Sequence, residues 1–289
     1  MTFDMYAKTY GMPVAEFISK ALEEDIGDGD HTSLSTIPES SVSKAVVKAK
    51  ANGVIAGLVI ADQVLNQVDP GMKVKVLVQD GAVVKPGDEL MHIEGNTQSL
   101  LKAERVLLNC LQRMSGIATK THSLVNLIKG TSAKLLDTRK TTPNFRIFEK
   151  WAVQTGGGLN HRFGLYDMIL IKDNHVDACG GIEKAIVRAN EYLRRTKKEL
   201  KIEIETRSIA EVQKVLNCGN VHRIMLDNFP IADLKAAVKM IGGKFETEAS
   251  GGITEENIRE IAETGVDFIS VGALTHSFNS LDISMKIVS

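Results

Sequence analysis

From Lys134 onward, short apolar runs typical of strands alternate with longer stretches that have the apolar spacing of helices. A repeated strand-then-helix order predicts parallel pairing, because each helix returns the chain to the start of the next strand. The sequence therefore predicts an α/β sheet or barrel, although about six units fit, short of a closed barrel of eight. The candidate strands are residues 134–138, 168–171, 201–205, 223–227, 244–248 and 267–271.

Nearly all of these strands end on polar or charged residues. The loops that follow the strands of a parallel barrel converge on one mouth, where active sites lie. Charged strand ends converge better in a ring than along the edge of a doubly wound open sheet, although both architectures remain possible. A functional site is therefore expected among the strand-end residues, which are Thr138, Arg139, Lys140, Lys172, Glu205, Asp227 and Glu248.

The first part of the chain has a different pattern. Residues 42–95 read as mainly β, with Asp-Gly and Pro-Gly turn signals, and residues 98–128 read as a long helix broken near Gly116. We therefore predict an N-terminal α/β domain over residues 1–115. The strand–helix domain would span residues 116–289, with its final segment packed back on the first domain.

The distribution of charge points to a small anionic ligand. The chain carries 35 Lys and Arg against 36 Asp and Glu, so it lacks the general basicity that suits a nucleic-acid coat. Residues 137–175 nevertheless concentrate cations in a stretch rich in Gly and Thr. A site for a small, multiply anionic substrate is the expected consequence. The cations are Arg139, Lys140, Arg146, Lys150, His161, Arg162, Lys172 and His175.

Signals for membrane insertion and export are not found in the sequence. No apolar run approaches the roughly 20 residues of a membrane-spanning helix, and the first 25 residues lack the apolar core of a signal peptide. Cys110, Cys179 and Cys218 show neither pairing nor zinc-binding spacing. We therefore expect a cytoplasmic protein that has neither a membrane nor a nucleic acid as its partner.

Two glycine-rich turns each follow a predicted strand and precede a predicted helix. They are residues 248–253 (Glu-Ala-Ser-Gly-Gly-Ile) and residues 270–273 (Ser-Val-Gly-Ala). Glycine lets backbone N–H groups approach a phosphate, and paired turns after the last strands of a barrel are a recurrent phosphate site. One such turn by itself is often only a turn, but the two together predict phosphate binding.

Glu205 and Asp227 end consecutive strands, so they should face each other across the mouth. Two carboxylates beside a basic pocket suit Mg²⁺ held jointly with substrate phosphates, and they could also stabilise positive charge developing on a sugar. The alternative is a pair of salt bridges with the lysines of the cluster. Glu203 lies two residues earlier on the same strand face. Glu205 is favoured as the site residue because it lies at the strand end.

Arginines indicate what else the ligand carries. Arg139, Arg162 and Arg105 can each bind a carboxylate through two parallel hydrogen bonds, which suggests a substrate with more than one carboxylate. Lys140 and Lys172, as point charges, suit phosphate oxygens. An arginine alone on a helix, as Arg105 is predicted to be, is usually solvated or packed.

Histidines and one acidic turn are further candidates. His161 follows three glycines and lies beside an arginine, which makes it a better candidate than an isolated histidine. His175 is better explained as ordering its turn. Asp28, Asp30 and His31 could bind a metal, but a turn or a helix cap is the favoured interpretation.

Taken together, these motifs resemble the quinolinate phosphoribosyltransferase family, the decarboxylating type II enzymes of NAD synthesis. The resemblance covers Glu104 to Ser277, and its most specific part is TRKTTP followed by GGGLNHR. It implies an open-faced N-terminal α/β sandwich, an incomplete, seven-stranded α/β barrel, and a homodimer or a hexamer of dimers with a shared active site. The other matching segments are ERVLLNCLQRMSGIAT, IEIET, IMLDNF, EASGGI and VGALTHS.

The resemblance also implies a role for each candidate. Quinolinate would be surrounded by Arg105 from a neighbouring subunit and by Arg139, His161, Arg162 and Lys172. Phosphoribosyl pyrophosphate (PRPP) and its Mg²⁺ would be held by the implied catalytic residues Lys140, Lys172, Glu205 and Asp227, of which Glu205 and Asp227 are the metal ligands. The 5′-phosphate would lie against Ser250, Gly251, Gly252, Gly272 and Ala273, close to His276. Thr138 and Val271 complete the predicted substrate-binding set.

The implied reaction joins quinolinate to PRPP and gives nicotinate mononucleotide, pyrophosphate and CO₂. Three alternatives remain open from the sequence. The first is a homologue of the same fold with another substrate, such as the molybdenum-transport-associated relative. The second is a Schiff-base aldolase that uses Lys140 or Lys172 as its nucleophile. The third is a non-catalytic protein that binds a phosphorylated ligand.

Overall fold

The computed structural model describes residues 2–11 and 13–288. In chain order its elements are α1 (Phe3–Thr9), α2 (Val14–Ile26), α3 (His31–Thr36), β1 (Val42–Ala49), β2 (Gly53–Val54), α4 (Leu58–Val68), β3 (Lys73–Val76), β4 (Val83–Val84), β5 (Glu89–Asn96), α5 (Thr97–Leu127), β6 (Lys134–Leu136), α6 (Arg146–Thr155), β7 (Ile169–Ile171), α7 (Asp173–Cys179), α8 (Ile182–Thr196), β8 (Ile202–Thr206), α9 (Ile209–Cys218), β9 (Arg223–Asp227), α10 (Ile231–Ile241), β10 (Glu246–Ser250), α11 (Ile258–Ala262), β11 (Phe268–Ser270), α12 (Ala273–His276) and β12 (Ile283–Val288). Within the described ranges, none of these helices is both long and apolar enough to cross a membrane.

The chain forms two compact units. The first contains the residues up to His122, the segment Thr142–Gly157 and the residues from Ser277 onward. The second contains Ser123–Thr141 and Gly158–His276. The predicted domain boundary between residues 115 and 116 stays a prediction.

The first unit is built on an antiparallel sheet with the strand order β12-β1-β5-β3. The last strand of the chain pairs with β1, as in the register Val47↔Met285. The region predicted as mainly β also contains α4, which the sequence reading missed. Leu58, Ala61 and Leu65 are buried at helical spacing along α4, so this apolar run is the inner face of a helix.

The predicted break at Gly116 is wrong, because α5 continues without interruption from Thr97 to Leu127. A Cβ atom at Gly116 would overlap the carbonyl oxygen of Asn279 and crowd Ser280. The glycine therefore serves a close approach of another segment of the same unit, and it does not end the helix.

The second unit contains a parallel sheet of six strands in the order β6-β11-β10-β9-β8-β7. All six predicted strands are present, and the predicted α/β class is confirmed: the structure has an antiparallel sheet in the first unit and a parallel sheet in the second. Beside β6, Leu159 makes a single parallel bridge to Leu136. Within the described ranges, this bridge is all that occupies the place of the seventh strand.

Side chains of β8 alternate in character, which sets up the two faces of the parallel sheet. Ile202 and Ile204 are buried on one face, and Glu203 and Glu205 share the other, because successive side chains of a strand point to opposite faces. The register Glu203↔Arg223 continues the charged face onto β9. Candidate site residues therefore come from one face of the sheet.

Candidate functional site

Strand ends of the second unit bring the predicted lysine and carboxylates to one edge of the sheet. Lys172 directly follows β7, Glu205 is the second-last residue of β8, and Asp227 ends β9. Nζ of Lys172 is 3.1 Å from Oε2 of Glu205. Asp227 pairs in register with Ser250 at the end of β10. Four neighbouring strands thus place their polar residues in a row.

Glu205 and Asp227 present hard oxygen donors of the kind that Mg²⁺ prefers. The Glu205 side chain is only 9% exposed and has Lys172 as its counter-ion. Oδ2 of Asp227 accepts a hydrogen bond from Nδ2 of Asn228 at 2.7 Å, which fixes the carboxylate. Two oriented carboxylates on adjacent strands therefore fit a divalent cation that is shared with phosphate ligands.

The two glycine turns lie at the same edge. Gly251 and Gly252 follow β10 with φ values of 86° and 62°, in the left-handed region that favours glycine. At Gly272, a Cβ atom would lie 2.9 Å from Cδ of Lys140 and 3.1 Å from Nε2 of His276. Glycine at this position therefore lets a lysine and a histidine approach the backbone, as a phosphate site requires.

Lys140 is held in place by its neighbours. Its backbone N–H donates to Oγ1 of Thr138 at 3.1 Å, and its carbonyl oxygen accepts from Oγ1 of Thr275 at 2.8 Å. The turn that follows β11 starts at the buried Val271 and leads into α12 at Ala273. Thr138, Lys140 and the turn after β11 thus belong to one connected group.

Arg139 and Arg162 lie close enough for their charges to repel. Burial, together with the positive charge of Arg139, lowers the pKa of Arg162. Nε of Arg139 is buried and has no hydrogen-bond partner within the described ranges. Two neighbouring guanidinium groups suit a carboxylate-bearing ligand, because each can donate two parallel hydrogen bonds to a carboxylate.

An open cavity of about 510 Å³ extends beside Arg162 and is lined by β7, α7 and α8. Met168 and Leu170 contribute apolar walls, and His175 lies at its edge. Nδ1 of His175 accepts a hydrogen bond from the backbone N–H of Lys172 at 2.9 Å, so the predicted turn-ordering role is confirmed. Apolar walls with a cationic rim fit a flat aromatic anion.

His161 lies deeper than its neighbour Arg162, with 5% of its side chain exposed. Its Nε2 is 3.1 Å from Oε2 of Glu203 and 3.4 Å from Oε2 of Glu248. The guanidinium of Arg223 is 2.8 Å from Glu248 and 4.0 Å from Glu203. We refer to His161, Glu203, Arg223 and Glu248 as the buried charge cluster.

The buried charge cluster retains a proton at neutral pH. Burial and the adjacent charge of Glu248 raise the pKa of Glu203 to about 7. Burial opposes a charge on His161, but hydrogen bonds to Glu203 and Glu248 raise its pKa to about 9. Nδ1 of His161 accepts the backbone N–H of Arg162 at 2.7 Å. Both pKa shifts favour a proton held between His161 and the two glutamates.

Three members of this cluster also have the donor types of a metal site. The ligand atoms of His161, Glu203 and Glu248 lie within 4.8 Å of one another. Arg223, however, already neutralises the carboxylates, and a dication next to it would be repelled. An ion-pair network is the better description.

Sequence reasoning missed the cluster because it weighed only strand ends. The sequence prediction did not include Arg223, and it preferred Glu205 to Glu203. The available signal was charged residues on one face of otherwise apolar strands: Glu203 and Glu205 alternate with isoleucine in IEIET, and Arg223 and Asp227 stand four positions apart in RIMLD. Charges on the inner face of a buried strand need partners there.

The remaining candidates lie in the first unit. Arg105 is exposed on α5, and its predicted role in a neighbouring subunit stays a prediction. Asp30 caps α3, since its Oδ1 accepts the backbone N–H of Ser33 at 3.1 Å. The helix-cap interpretation of this turn is therefore confirmed.

Comparison with known proteins gives matches along nearly the whole chain. The family "Quinolinate phosphoribosyl transferase, C-terminal domain" matches residues 117–286, and the corresponding N-terminal domain family matches residues 30–115. Quinolinate phosphoribosyltransferase (decarboxylating) 1 of Nicotiana glauca is 46% identical over 285 residues, which cover 93% of this chain and 81% of that protein. The chloroplastic nicotinate-nucleotide pyrophosphorylase (carboxylating) of Arabidopsis thaliana is likewise 46% identical, with coverage of 93% and 81%.

Solved structures agree with this assignment. The nicotinate-nucleotide pyrophosphorylase of Francisella tularensis superposes with a TM-score of 0.90 at 38% identity. The match covers 95% of this chain and 96% of that one.

Proposed function

Since this chain belongs to the quinolinate phosphoribosyltransferase family, we propose that its strand-end residues form the site where PRPP meets quinolinate. The chain is a decarboxylating quinolinate phosphoribosyltransferase of NAD biosynthesis. The observation that carries the site assignment is the separation of two charge types along one sheet edge. Arg139 and Arg162 lie at one part of it, and Glu205 and Asp227 lie at another.

Quinolinate has two adjacent carboxylates on a pyridine ring. Arg139 and Arg162 bind these carboxylates, with Lys172 as a third cation, and the apolar wall formed by Met168 and Leu170 contacts the ring. Arg105 of a second copy of the chain completes the clamp. His161 is the remaining predicted quinolinate residue, and its buried position favours an indirect contribution.

PRPP lies along the glycine turns. Ser250, Gly251 and Gly252 on one side, and Val271, Gly272 and Ala273 on the other, bring backbone donors to the 5′-phosphate. Lys140, His276 and Thr138 add side-chain donors. Glu205 and Asp227 hold Mg²⁺, which when bound neutralises charge on the pyrophosphate group.

Bond formation and bond cleavage take place at the anomeric carbon of the ribose. The ring nitrogen of quinolinate attacks this carbon from the face opposite the pyrophosphate, held in line by the arginine clamp. The carbon–oxygen bond breaks, and its electron pair leaves with pyrophosphate. Lys140 and Lys172 stabilise the departing negative charge, while Glu205 or Asp227 faces the positive charge that develops on the sugar.

Decarboxylation follows from the product of transfer. The new pyridinium nitrogen stabilises the electron pair left on the adjacent ring carbon when its bond to the carboxylate breaks. CO₂ leaves, and the ring carbon then takes up a proton to give nicotinate mononucleotide. The ring itself acts as the electron sink, so this step requires no further group.

The working assembly is at least a homodimer, because the clamp includes Arg105 of another copy; a hexamer of dimers satisfies the same requirement. A cytoplasmic location accords with the three cysteines, each of which is free in the structure. The family match favours phosphoribosyl transfer over the Schiff-base aldolase, the binding protein and a homologue with another substrate.

The decisive experiment measures CO₂ and nicotinate mononucleotide formed from quinolinate and PRPP by the full chain, with and without Mg²⁺. We expect one equivalent of each product per turnover, and loss of turnover on chelation. Failure of the folded, Mg²⁺-supplied protein to form either product would overturn the proposed function. Full activity in the presence of chelator would overturn the metal-binding role alone.

A further inference from the structure

The buried charge cluster lies one layer below the proposed substrate site. Glu203 precedes Glu205 by two residues, and Glu248 precedes Ser250 by two, on the same faces of their strands. Both glutamates are fully buried. The cluster therefore supports the strand-end residues from beneath.

His161 connects the cluster to the segment beside β6. Leu159 begins this segment and exchanges backbone hydrogen bonds with Leu135 and Asp137, at 2.8 and 3.1 Å. The backbone N–H of His161 adds a hydrogen bond to Oδ1 of Asp137 at 2.8 Å. On its other side the His161 ring reaches β8 and β10, through Glu203 and Glu248.

Arg162 is the next residue, and the His161 ring controls its backbone. The N–H of Arg162 donates to Nδ1 of the ring at 2.7 Å. The side chain donates to the carbonyl oxygen of Met168 at 3.3 Å, near the upper end of the hydrogen-bond range. The orientation of Arg162 thus depends strongly on the ring that fixes its N–H.

We propose that Glu203, Glu248 and Arg223 are positioning residues for quinolinate binding, which act through His161 on the guanidinium of Arg162. The inference rests on the proposed function, because it takes Arg162 to be a quinolinate ligand. Arg223 orients Glu248, the two glutamates hold Nε2 of His161, and Nδ1 holds the N–H of Arg162. None of the three positioning residues needs to touch substrate.

The physical consequence is specific to one substrate. A guanidinium displaced by about 1 Å binds a carboxylate poorly and misplaces the ring nitrogen, which can cost on the order of 100-fold in rate. PRPP is bound by other residues, so its binding should be unaffected. A cluster with only a structural role would instead lower stability without a selective loss of quinolinate affinity, or would lower both substrate affinities together.

The primary test replaces Glu248 with glutamine, which keeps the shape but removes the charge. We expect Glu248→Gln to raise the KM for quinolinate roughly 10- to 100-fold and to leave the KM for PRPP within about twofold. Glu246→Gln is the matched control, since Glu246 lies on the same strand and also pairs with Arg223, at 3.1 Å, without contacting His161. An unchanged quinolinate KM in folded Glu248→Gln protein, or an equal rise in the control, would overturn the proposal.

A second variant tests the link to Arg162 itself. His161→Gln can keep a donor toward the glutamates but loses the ring nitrogen that accepts the N–H of Arg162. We expect the same selective rise in quinolinate KM with circular dichroism close to that of the unchanged protein. Loss of fold in both variants would assign the cluster a structural role and overturn the proposal.

The proposal and the function on which it rests can fail separately. If the unchanged protein does not turn over quinolinate, the proposed function fails. Calorimetric titration of quinolinate into each variant then still measures whether the cluster governs binding of the dicarboxylate. Equal affinities of the unchanged and Glu248→Gln proteins would count against the positioning role.

Discussion

Glu203 and Glu205 are neighbours on one face of β8, two residues apart in the sequence, yet their surroundings differ. Glu205 faces Lys172, whose side chain is 48% exposed. Glu203 is fully buried, between His161 and Arg223. In the upper layer, formed by the strand-end residues, the half-exposed Lys172 remains accessible to a ligand. In the lower layer, formed by the buried charge cluster, the charges neutralise one another. The position of a glutamate along the strand, more than its residue type, therefore decides whether it can take part in ligand binding or supports the site from beneath.

The largest expected effect belongs to the upper layer. Lys172→Ala should lower kcat/KM by about 10³-fold, because it removes a cation from both the leaving pyrophosphate and quinolinate. Stability should also fall, because Glu205, whose side chain is only 9% exposed, is left without its counter-ion. Lys201→Ala is the matched control, because Lys201 is also an exposed lysine that pairs with a glutamate: its Nζ lies 3.9 Å from Oε1 of Glu246. Steady-state kinetics of both variants decide; comparable losses would contradict a specific role for the upper layer.

A second test asks whether the upper layer is completed by another copy of the chain. Arg105→Ala and Lys140→Ala should each be nearly inactive. When the two variants are mixed and allowed to exchange subunits, the mixture should recover roughly a quarter of full activity. Half of the dimers are then hybrids, and each hybrid has one intact site out of two. The assay needs exchange verified with differently tagged copies. Recovery that stays at the level of the separate variants would rule out a shared site.

The lower layer should reveal itself in stability. Glu248→Ala removes a carboxylate that Arg223 and His161 both contact, and should lower the free energy of unfolding by about 3–5 kcal/mol. Glu205→Ala should cost no more than about 1 kcal/mol, since Lys172 can turn to solvent. Urea-induced unfolding of the two variants measures the difference. Equal costs would mean that the layers do not differ as described.

Much of the fold could be predicted from the sequence, because apolar runs and turn residues are local signals. The continuity of α5 through Gly116 could not, since it depends on Asn279 and Ser280, which are distant in sequence. The helix α4 was missed although its apolar residues have helical spacing, because short apolar runs between turn signals also suit strands. Strand ends correctly located Lys172 and Glu205, which the structure brings within 3.1 Å. The partners of His161 escaped prediction, because they come from two strands that are far along the chain.

A smaller effect is expected at Gly272, where a side chain would intrude on the upper layer only. Its added Cβ would lie 2.9 Å from Cδ of Lys140 and 3.1 Å from His276. Gly272→Ala should therefore displace the lysine and raise the KM for PRPP by about tenfold, with the KM for quinolinate unchanged. Initial rates at varied PRPP measure this. A rise in the KM for quinolinate alone would contradict the assignment of Gly272 and Lys140 to PRPP binding.

The smallest effect concerns a buried carboxylate with no cation beside it. In the first unit, Asp80 accepts the backbone N–H groups of Gly57 and Leu58, each at 3.0 Å, at the start of α4. Burial raises its pKa above the ordinary value of 3.8, although these bonds and one from Trp151 oppose the shift. The folded protein therefore binds this proton more tightly than the unfolded chain does.

Stability from Asp80 should consequently fall as pH rises above about 3.8, at a slope below about 1.4 kcal/mol per pH unit. Comparing urea unfolding of the unchanged protein and Asp80→Asn across this range isolates the contribution, since the amide does not titrate. A shallower decline in the variant is expected. If the unchanged protein and Asp80→Asn had the same pH dependence of stability, the pKa of Asp80 would not be raised on folding. The backbone N–H donors would then offset the cost of burying its charge.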